Sequence, residues 1–237
     1  EAVEHKDLLS RFDRIVCVSR SAWNAFRQIS GLTESVELHY NPMNSDAVRA
    51  KAEEKIDFPE DVPVICAVGR LSREKAFERL IVIHKKLLDQ NIRHKLMIVG
   101  DGPDREYLDR LIRAMDLQDT VIMAGYQSNP YPYMKKSKFL VISSYTEGLP
   151  VISMEALSLG VPVVATIPSI GEVFGDETCG IIAENNNASL EKAICRMLTD
   201  EDFYMQAKVG AEKRTAFFDG KRMVREIEDL FLELTAK

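Results

Sequence analysis

The stretch "SSYTEGLPVISMEALSLGVPVVAT", residues 143–166, carries the features that decide the fold. It begins at the end of the apolar run "FLVISS" (139–144) and closes with a second apolar run, "PVVAT" (162–166). A helix candidate lies between the two runs, bracketed by Pro150 at its start and Gly160 past its end, as the end preferences of helices favour. A strand, a helix and another strand in this order indicate a parallel sheet with crossover helices.

The same alternation of short apolar runs and longer amphipathic segments continues through the chain. The runs are continuous rather than alternating and rich in β-branched residues, which is typical of parallel strands buried on both faces. We therefore predict an α/β fold with a Rossmann-like, doubly wound parallel sheet. The further strand candidates are "RIVCVS" (14–19), "VELHY" (36–40), "PVICAVG" (63–69), "HKLMIVG" (94–100), "TVIMAG" (120–125) and "GIIA" (180–183).

Composition restricts the class of protein. The chain has 237 residues, of which 46% are hydrophobic and 29% charged, as in soluble globular proteins. Its net charge of −6 argues against nucleic acid as a partner. The four scattered cysteines predict free thiols in a reducing compartment, hence a cytoplasmic protein. The histidines and aspartates form no cluster with metal-ligand spacing, so we predict no metal site.

The organisation of the chain suggests a fragment. It does not begin with methionine and starts within a helical pattern. The polar segment 41–62 contains two prolines and predicts a linker with a helix at about 46–55. We therefore divide the chain into a first segment, 1–45, the main sheet domain, 46–220, and an amphipathic C-terminal helix, 221–237.

The loop after the strand 63–69 predicts an anion site. In "GRLSREK", Gly69 relieves the turn, and Arg70 and Lys75 lie within six residues of each other beside a helix start. Ligands of open α/β sheets bind beyond the carboxyl ends of the strands, and cations beside free helix amides favour phosphate. The alternative is a solvated basic turn in which Lys75 pairs with a neighbouring acid.

Two glutamates mark the loop after the strand 139–144. Glu147 lies in the loop and Glu155 inside the helix that begins at Pro150, so the two carboxylates do not form a touching dyad. They are acceptors on either side of a helix end whose amides are free to bind an anion. A nucleotide sugar, with hydroxyl groups at both ends and phosphate between, has that layout. The alternative is that Glu155 is a partly buried acid bonded to backbone.

Of three further features, two have a structural explanation and one leaves its role open. The loop "GDGPDREY" (100–107) is a weak dinucleotide signal, and a tight turn explains it. In "GYQSNPYPYM" (125–134), Gly125 permits close backbone approach, and the tyrosines either flank a planar base or simply pack. His84 lies on the apolar stripe of a helix that we predict over 73–90, and it is expected to be structural.

Four segments together carry a family resemblance. The stretches "VGRLSREKAFERLI", "KLMIVGDGPDREYL", "VIMAGYQSNPYPYM" and "SSYTEGLPVISMEALSLGVPVVAT" follow one another in this order. Over about residues 36–200 the chain resembles the donor-binding, C-terminal domain of group 1, or family 4, glycosyltransferases, which are retaining enzymes of the GT-B fold. The resemblance implies transfer of a hexosyl group from a nucleotide sugar with retention, in cell-surface polysaccharide or glycan biosynthesis.

The resemblance also implies roles for individual residues. The catalytic set would be Arg70 and Lys75, on the donor pyrophosphate, and Glu147, on the transferred sugar. Ala76 stands where the family commonly has glycine, which could stiffen or shift the phosphate loop. The implied donor-binding residues are Gly69 in the phosphate loop, Gly125, Tyr126 and Gln127 at the base, Gly148 and Leu149 at the sugar and phosphates, and Glu155 at the ribose.

The partners follow from the same resemblance. The donor would be a UDP- or GDP-linked sugar, with no other cofactor. Residues 1–45 would be the end of the N-terminal acceptor domain and the hinge, so the chain itself should be weakly active or inactive. A glycan or lipid-linked acceptor would bind the missing domain, and peripheral association of the full-length protein with the inner face of a membrane is compatible with this. The alternatives are a non-catalytic nucleotide-binding module and another GT-B enzyme, such as a sugar-phosphate synthase or an epimerase.

Overall fold

A computed structural model describes residues 6–218 and 220–236. The eight predicted strands are all present, each shortened at one or both ends where the chain turns into a loop. The strands are β1 (Ile15–Cys17), β2 (Val36–Leu38), β3 (Val64–Val68), β4 (Lys95–Val99), β5 (Val121–Gly125), β6 (Phe139–Ile142), β7 (Val163–Ala165) and β8 (Gly180–Ile182). The helices are α1 (Lys6–Leu9), α2 (Arg20–Ser30), α3 (Ser45–Lys51), α4 (Phe77–Asp89), α5 (Arg105–Ala114), α6 (Tyr131–Lys136), α7 (Val151–Ser158), α8 (Ile170–Phe174), α9 (Asn187–Thr199), α10 (Glu201–Arg214) and α11 (Gly220–Thr235).

The main sheet confirms the predicted doubly wound α/β fold. Its six strands are parallel and lie in the order β5-β4-β3-β6-β7-β8. From β3 the chain proceeds outward to one edge, and from β6 it proceeds outward to the other. The strand order therefore reverses between β3 and β6, and the crevice at their carboxyl ends is where a ligand of such a sheet binds.

Apolar side chains cover both faces of this sheet, as the continuous apolar runs predict. One buried cluster joins the strands to α4, α5 and α9, and includes Leu80, Leu108 and Leu190. The other joins them to α7 and the chain after β7, and includes Met154 and Ile170. Helices on both faces fix the strand ends rigidly, and the site is built on those ends.

Two predicted helices begin or end differently from expectation. The linker helix is α3, Ser45–Lys51, shorter than the predicted 46–55. The predicted helix over 73–90 is split into a 3₁₀ turn, Arg73–Lys75, and α4. Ala76 separates them with φ of 52°, in the left-handed region that disfavours an L side chain. This conformation explains why glycine would suit the position.

The first segment of the chain forms a sheet of its own. Strands β1 and β2 pair in parallel, separately from the main sheet, with α2 between them in sequence. Glu172 of α8 fastens this unit to the rest, because its two carboxylate oxygens accept from the backbone amides of Arg20 (2.6 Å) and Ser21 (3.0 Å). The hydroxyl of Tyr40 donates to the same carboxylate at 3.1 Å. Glu172 thus supplies the anion that the free amides of a helix start favour.

Glu172→Ala is expected to loosen the first segment while the main sheet stays folded. Losing a capping carboxylate costs about 1–2 kcal/mol, so hydrogen exchange of the α2 amides should accelerate roughly 5–30-fold. Glu177→Ala is the matched control, since the Glu177 carboxylate pairs with Lys213, at 3.6 Å between Oε2 and Nζ, and accepts from no α2 amide in the described part of the chain. Equal acceleration in both variants would contradict a specific role of Glu172.

A buried histidine pair lies at the opposite end of the sheet from the crevice. His94 Nδ1 donates to the carbonyl of Ile92 at 2.8 Å, so its Nε2 is free to accept from His84 Nδ1, also at 2.8 Å. His84 Nε2 then accepts from the hydroxyl of Thr120 at 3.0 Å. Every ring nitrogen is used with both rings neutral. The structural role expected for His84 is therefore confirmed.

The free energy of unfolding should fall as the pH drops below about 6.5. Burial lowers the pKa of both histidines, and that of His84 to about 3. Between that value and the ordinary pKa, the unfolded chain binds protons that the folded chain does not, so stability is fully present above pH 6.5 and is lost on acidification. His84 alone should remove about 2 kcal/mol by pH 5.

Urea unfolding at several pH values between 7.5 and 5 measures this loss. His84→Gln should flatten the dependence, whereas His39→Gln, which replaces a histidine outside this network, should leave it unchanged. A pH-independent stability of the unaltered protein over this range would contradict the account.

Within residues 6–218 and 220–236, no helix combines the length and hydropathy that a bilayer span requires.

A large cavity of about 1260 Å³ lies between α3 and α11, lined among others by Met43, Arg49, Phe218 and Val224. It contains none of the predicted site residues.

Candidate functional site

The loops that follow β3 and β6 meet at the switch point of the sheet, which is the place between these two strands where the strand order reverses. Lys75, in the first loop, forms an ion pair with Glu147, in the second, with 2.9 Å between Nζ and Oε2. The hydroxyl of Ser144 donates to the other carboxylate oxygen of Glu147. Lys75 does pair with an acid, as the alternative interpretation of the loop held, but that acid is itself a predicted site residue. The structure therefore brings two members of the predicted set into contact.

Several hydrogen bonds fasten these two loops together. The amide of Tyr145 donates to the carbonyl of Glu74 at 2.8 Å, and the hydroxyl of Ser143 donates to the carbonyl of Lys75 at 2.9 Å. The buried guanidinium of Arg79 donates from Nη1 to the carbonyl of Ser143 at 3.0 Å. The carbonyls of both loops are thus held by side chains, so Lys75 and Glu147 face each other on a fixed backbone.

Arg79 was missed at the sequence level. It also donates to Asn185 (2.7 Å) and Asn187 (2.8 Å), and so ties the loop after β8 to the same place. The sequence feature that could have identified Arg79 is its position one helical turn before Ile83, at the edge of the apolar stripe of α4. A charged residue there is buried only when it is well paired.

The environment of the Arg70 side chain differs from that of Lys75. It is exposed, and among the described residues its guanidinium makes no ion pair or hydrogen bond, whereas its carbonyl accepts from the hydroxyl of Ser72 at 3.4 Å. Its loop is nevertheless fixed, because the amide of Leu71 donates to the carbonyl of Asp101 at 3.0 Å. An exposed guanidinium on a fixed loop at the carboxyl end of β3 is available to an anionic ligand.

The turn "GDG", residues 100–102, has a further role beyond the tight turn that the sequence predicts. A Cβ at Gly100 would lie 1.9 Å from the carbonyl oxygen of Gly69, and one at Gly102 would lie 2.4 Å from that of Leu71. Both glycines therefore allow this turn to pack directly on the backbone of the loop that carries Arg70.

Glu155 is half-buried in α7 and bound to a residue that the sequence did not single out. The hydroxyl of Tyr131, at the start of α6, donates to its Oε1 at 2.8 Å. Burial raises the pKa of Glu155, and the hydrogen bond from Tyr131 opposes that rise. Burial and the neighbouring carboxylate raise the pKa of Tyr131 to about 12, so its hydroxyl keeps its proton at neutral pH. The partner of Glu155 is thus a side chain rather than the backbone.

The start of α7 offers free amides between the two glutamates. Among the described residues, none accepts a hydrogen bond from the backbone amides of Gly148, Leu149, Val151 or Ile152. Gly148 is exposed, whereas Leu149 is buried in the core and anchors the loop. Free amides at a helix start favour an anion, as the sequence interpretation expected.

The loop after β5 presents the predicted base-binding residues. Gly125 has φ of 70°, a conformation that glycine adopts without strain. Tyr126 is 75% exposed, and Gln127 donates from Nε2 to the carbonyl of Ala124 at 2.8 Å. An exposed aromatic ring beside a fixed turn can stack on a planar ligand.

The parts of the site together suit a ligand with a polar group at each end and negative charge between. Lys75 and Glu147 pair between the loops after β3 and β6, Glu155 and Tyr131 pair between α7 and α6, and Arg70 and the α7 amides supply positive potential. Within the described residues, no group of three or more histidine, cysteine or acidic side chains is placed to hold a metal ion.

Comparison with known families identifies most of this chain. Residues 48–214 match the family model described as "Glycosyl transferases group 1". The matched range spans β3 to β8 and every residue of the candidate site.

Two characterised relatives carry the comparison further. The chain is 31% identical, over 193 residues, to an N-acetylgalactosamine-N,N'-diacetylbacillosaminyl-diphospho-undecaprenol 4-alpha-N-acetylgalactosaminyltransferase from Campylobacter jejuni; the match covers 80% of this chain and 52% of the relative. It is 26% identical over 235 residues to the lipopolysaccharide core biosynthesis glycosyltransferase LpsD from Rhizobium meliloti, with 98% of this chain and 66% of the relative covered. The chain therefore spans about half to two thirds of the length of these relatives.

A solved structure shows the same fold. Anabaena Alr3699/HepE in complex with UDP superposes with a TM-score of 0.82 at 18% sequence identity, covering 98% of this chain and 67% of the other. The parallel-sheet architecture is thus that of GT-B glycosyltransferase structures.

Proposed function

The chain belongs to the group 1 glycosyltransferases, and from this premise we propose that it is the donor-binding half of a retaining, family 4 enzyme. In this proposal the crevice between the β3 and β6 loops binds a nucleotide sugar, and the whole protein transfers the sugar to an acceptor. One observation carries the proposal. The fold places Lys75 and Glu147 2.9 Å apart at the switch point, beside the exposed Arg70 and the free amides of α7.

The proposed chemistry is electrostatic. As the bond from the sugar to the diphosphate breaks, negative charge develops on the departing nucleoside diphosphate. Arg70, Lys75 and the amides at Gly148 and Leu149 stabilise that charge from positions that are fixed before the reaction. Glu147 holds Lys75 in place and accepts from hydroxyl groups of the transferred sugar.

The rest of the donor occupies the other end of the crevice. Glu155 accepts from the ribose, and the base lies against the turn of Gly125, Tyr126 and Gln127. UDP is the first nucleotide to test, because HepE is described in complex with UDP. GDP remains the alternative.

The acceptor and the cellular role follow from the relatives. The Campylobacter jejuni enzyme is named for an undecaprenol-linked substrate and LpsD for lipopolysaccharide core biosynthesis. By analogy with these two names, we propose that the whole protein acts on a glycan or lipid-linked acceptor. Its role would be cell-surface polysaccharide synthesis at the inner face of a membrane. The acceptor binds outside the sheet domain, so this chain on its own has little or no transfer activity.

Calorimetric titration of the chain with UDP, GDP and ADP tests the proposal. We expect one of the first two to bind with a dissociation constant in the micromolar range, and binding to weaken in Glu155→Ala. Failure of all three nucleotides to bind a folded sample would overturn the proposal. Equal binding of all three would point to a general phosphate site instead.

A further inference from the structure

The loops after β4 and β5 are fastened to each other where these two strands end. The amide of Gly100, directly after β4, donates to the carbonyl of Gly125, the last residue of β5, at 2.8 Å. Five residues after Gly100, α5 begins at Arg105. The first residue of this helix thus starts from the same edge of the sheet as the turn after β5, against which the proposed function places the base of the donor.

The guanidinium of Arg105 lies beside the turn after β5. Gly125 has no side chain, and Nη1 of Arg105 is 3.8 Å from the position that a Cβ would occupy there. No other described atom outside residues 124–126 comes within 4 Å of that position. The space over Gly125 is therefore open apart from this one guanidinium nitrogen. The exposed ring of Tyr126 follows directly in the chain.

Asp109 holds the guanidinium in place and leaves part of it for a ligand. Nε of Arg105 donates to Oδ2 of Asp109, one helical turn later, at 3.0 Å. Among residues 6–218 and 220–236, none accepts a hydrogen bond from Nη1 or Nη2. The side chain is 33% exposed. Because a guanidinium has donors and no acceptor, its Nη groups can pair only with an acceptor of the ligand.

The place of Arg105 in the sheet separates it from the cations that face the diphosphate. Arg70 and Lys75 follow β3, and β3 and β5 are two strand spacings apart, roughly 10 Å in all. In the proposed binding mode the ribose spans this interval, because the diphosphate lies at the loop after β3 and the base at the turn after β5. The part of the donor next to Arg105 is therefore the base.

On the premise of the proposed function, we infer that Arg105 donates from Nη1 to an oxo group of the donor base, O4 of uracil or O6 of guanine. Cytosine and adenine carry an amino group at the corresponding position. That amino group would set its own N–H bonds against the Nη donors and leave both unpaired. A site built to hydrogen-bond one polar group rejects an analogue that cannot make the bond. Arg105 is thus a specificity-determining residue for the donor nucleotide.

Calorimetric titration of the chain with two pairs of nucleotides, UDP with CDP and GDP with ADP, tests this role. In each pair the second member has an amino group in place of the oxo group, and IDP controls for the 2-amino group of GDP. For the pair that binds, we expect the oxo nucleotide to bind roughly 10–100-fold more tightly than the amino nucleotide. In Arg105→Met this preference should fall to within about twofold.

Arg110→Met is the matched control. Arg110 lies on the same helix and pairs with Glu106, also one helical turn away, at 3.9 Å, but it is not near Gly125. We expect this variant to keep the preference, and melting temperatures of both variants verify folding. An unchanged preference in Arg105→Met, or an equal loss in both variants, would overturn the inference. Equal binding of the oxo and amino nucleotides by the unaltered protein would overturn it as well.

The Glu155→Ala variant separates this role of Arg105 from the proposed function. If no nucleotide binds the folded protein, the proposed function fails, and the role of Arg105 fails with it. If nucleotides bind and Glu155→Ala weakens them, but the base preference does not depend on Arg105, the donor site stands and only the role of Arg105 is wrong.

Discussion

Arg70→Ala is expected to weaken binding of the nucleoside diphosphate about 10–100-fold without lowering the melting temperature. A hydrogen bond to a charged group contributes roughly 1.5–3 kcal/mol, and each 1.4 kcal/mol corresponds to tenfold in affinity. Stability should not change, because the Arg70 guanidinium is exposed and has no partner in the described part of the chain, and the bond from Ser72 to the Arg70 carbonyl is kept in alanine. In the whole transferase, the same substitution should lower the turnover number by roughly 10²–10³.

Arg73→Ala is the control for Arg70→Ala. Arg73 is also exposed, lies in the 3₁₀ turn three residues later, and carries the same charge. We expect it to leave nucleotide affinity within about twofold, because long-range interactions of exposed charges are screened by salt. An equal loss in both variants would mean that the loop attracts the ligand by net charge alone and that Arg70 makes no direct contact.

Gly100→Ala is expected to destabilise the protein by roughly 4 kcal/mol or to prevent folding, because it adds both a steric overlap and backbone strain. The added Cβ would stand 1.9 Å from the carbonyl oxygen of Gly69, and φ of 147° at Gly100 is one that L side chains rarely adopt. The loop carrying Arg70 and the turn after β4 would have to separate. For a chain of this length, a loss of that size lowers the melting temperature by about 10 °C.

Gly171→Ala provides the same chemical change where there is room. Its Cβ would meet only Ile182 Cδ1, at 3.5 Å, and Gly171 lies within α8. Alanine there should leave stability unchanged or slightly increased. Thermal unfolding of both variants decides the matter, and a Gly100→Ala protein as stable as Gly171→Ala would show that the two loops are not packed as the structure has them.

The strands and their parallel arrangement were accessible from the sequence because burial on both faces leaves continuous apolar runs. Gly and Ser close most of these runs, so the loops that carry Arg70, Lys75 and Glu147 could also be located. The meeting of those loops followed from the parallel fold, since the carboxyl ends of neighbouring strands share one edge. The individual contact between Lys75 and Glu147 remained open, because a basic turn pairs with whichever acid the fold brings near.

The sequence did not show in the same way which side chains, distant along the chain, contact each other. Tyr131 was one of several tyrosines in a proline-rich loop, and only the packing of α6 on α7 selects it for Glu155. The pairing of His84 with His94 depends likewise on where α4 meets the start of β4. Glu172 has no local signal at all, because it caps a helix that lies about 150 residues earlier in the chain. Such contacts are products of the tertiary structure.

The most direct test of the central claim is a crystal structure of this chain with UDP. We expect the diphosphate within hydrogen-bonding distance of the Arg70 guanidinium and the amides that begin α7, with the ribose at Glu155 and the base beside Tyr126. UDP bound in the cavity of about 1260 Å³ between α3 and α11, or anywhere away from the carboxyl ends of β3 and β6, would contradict the account.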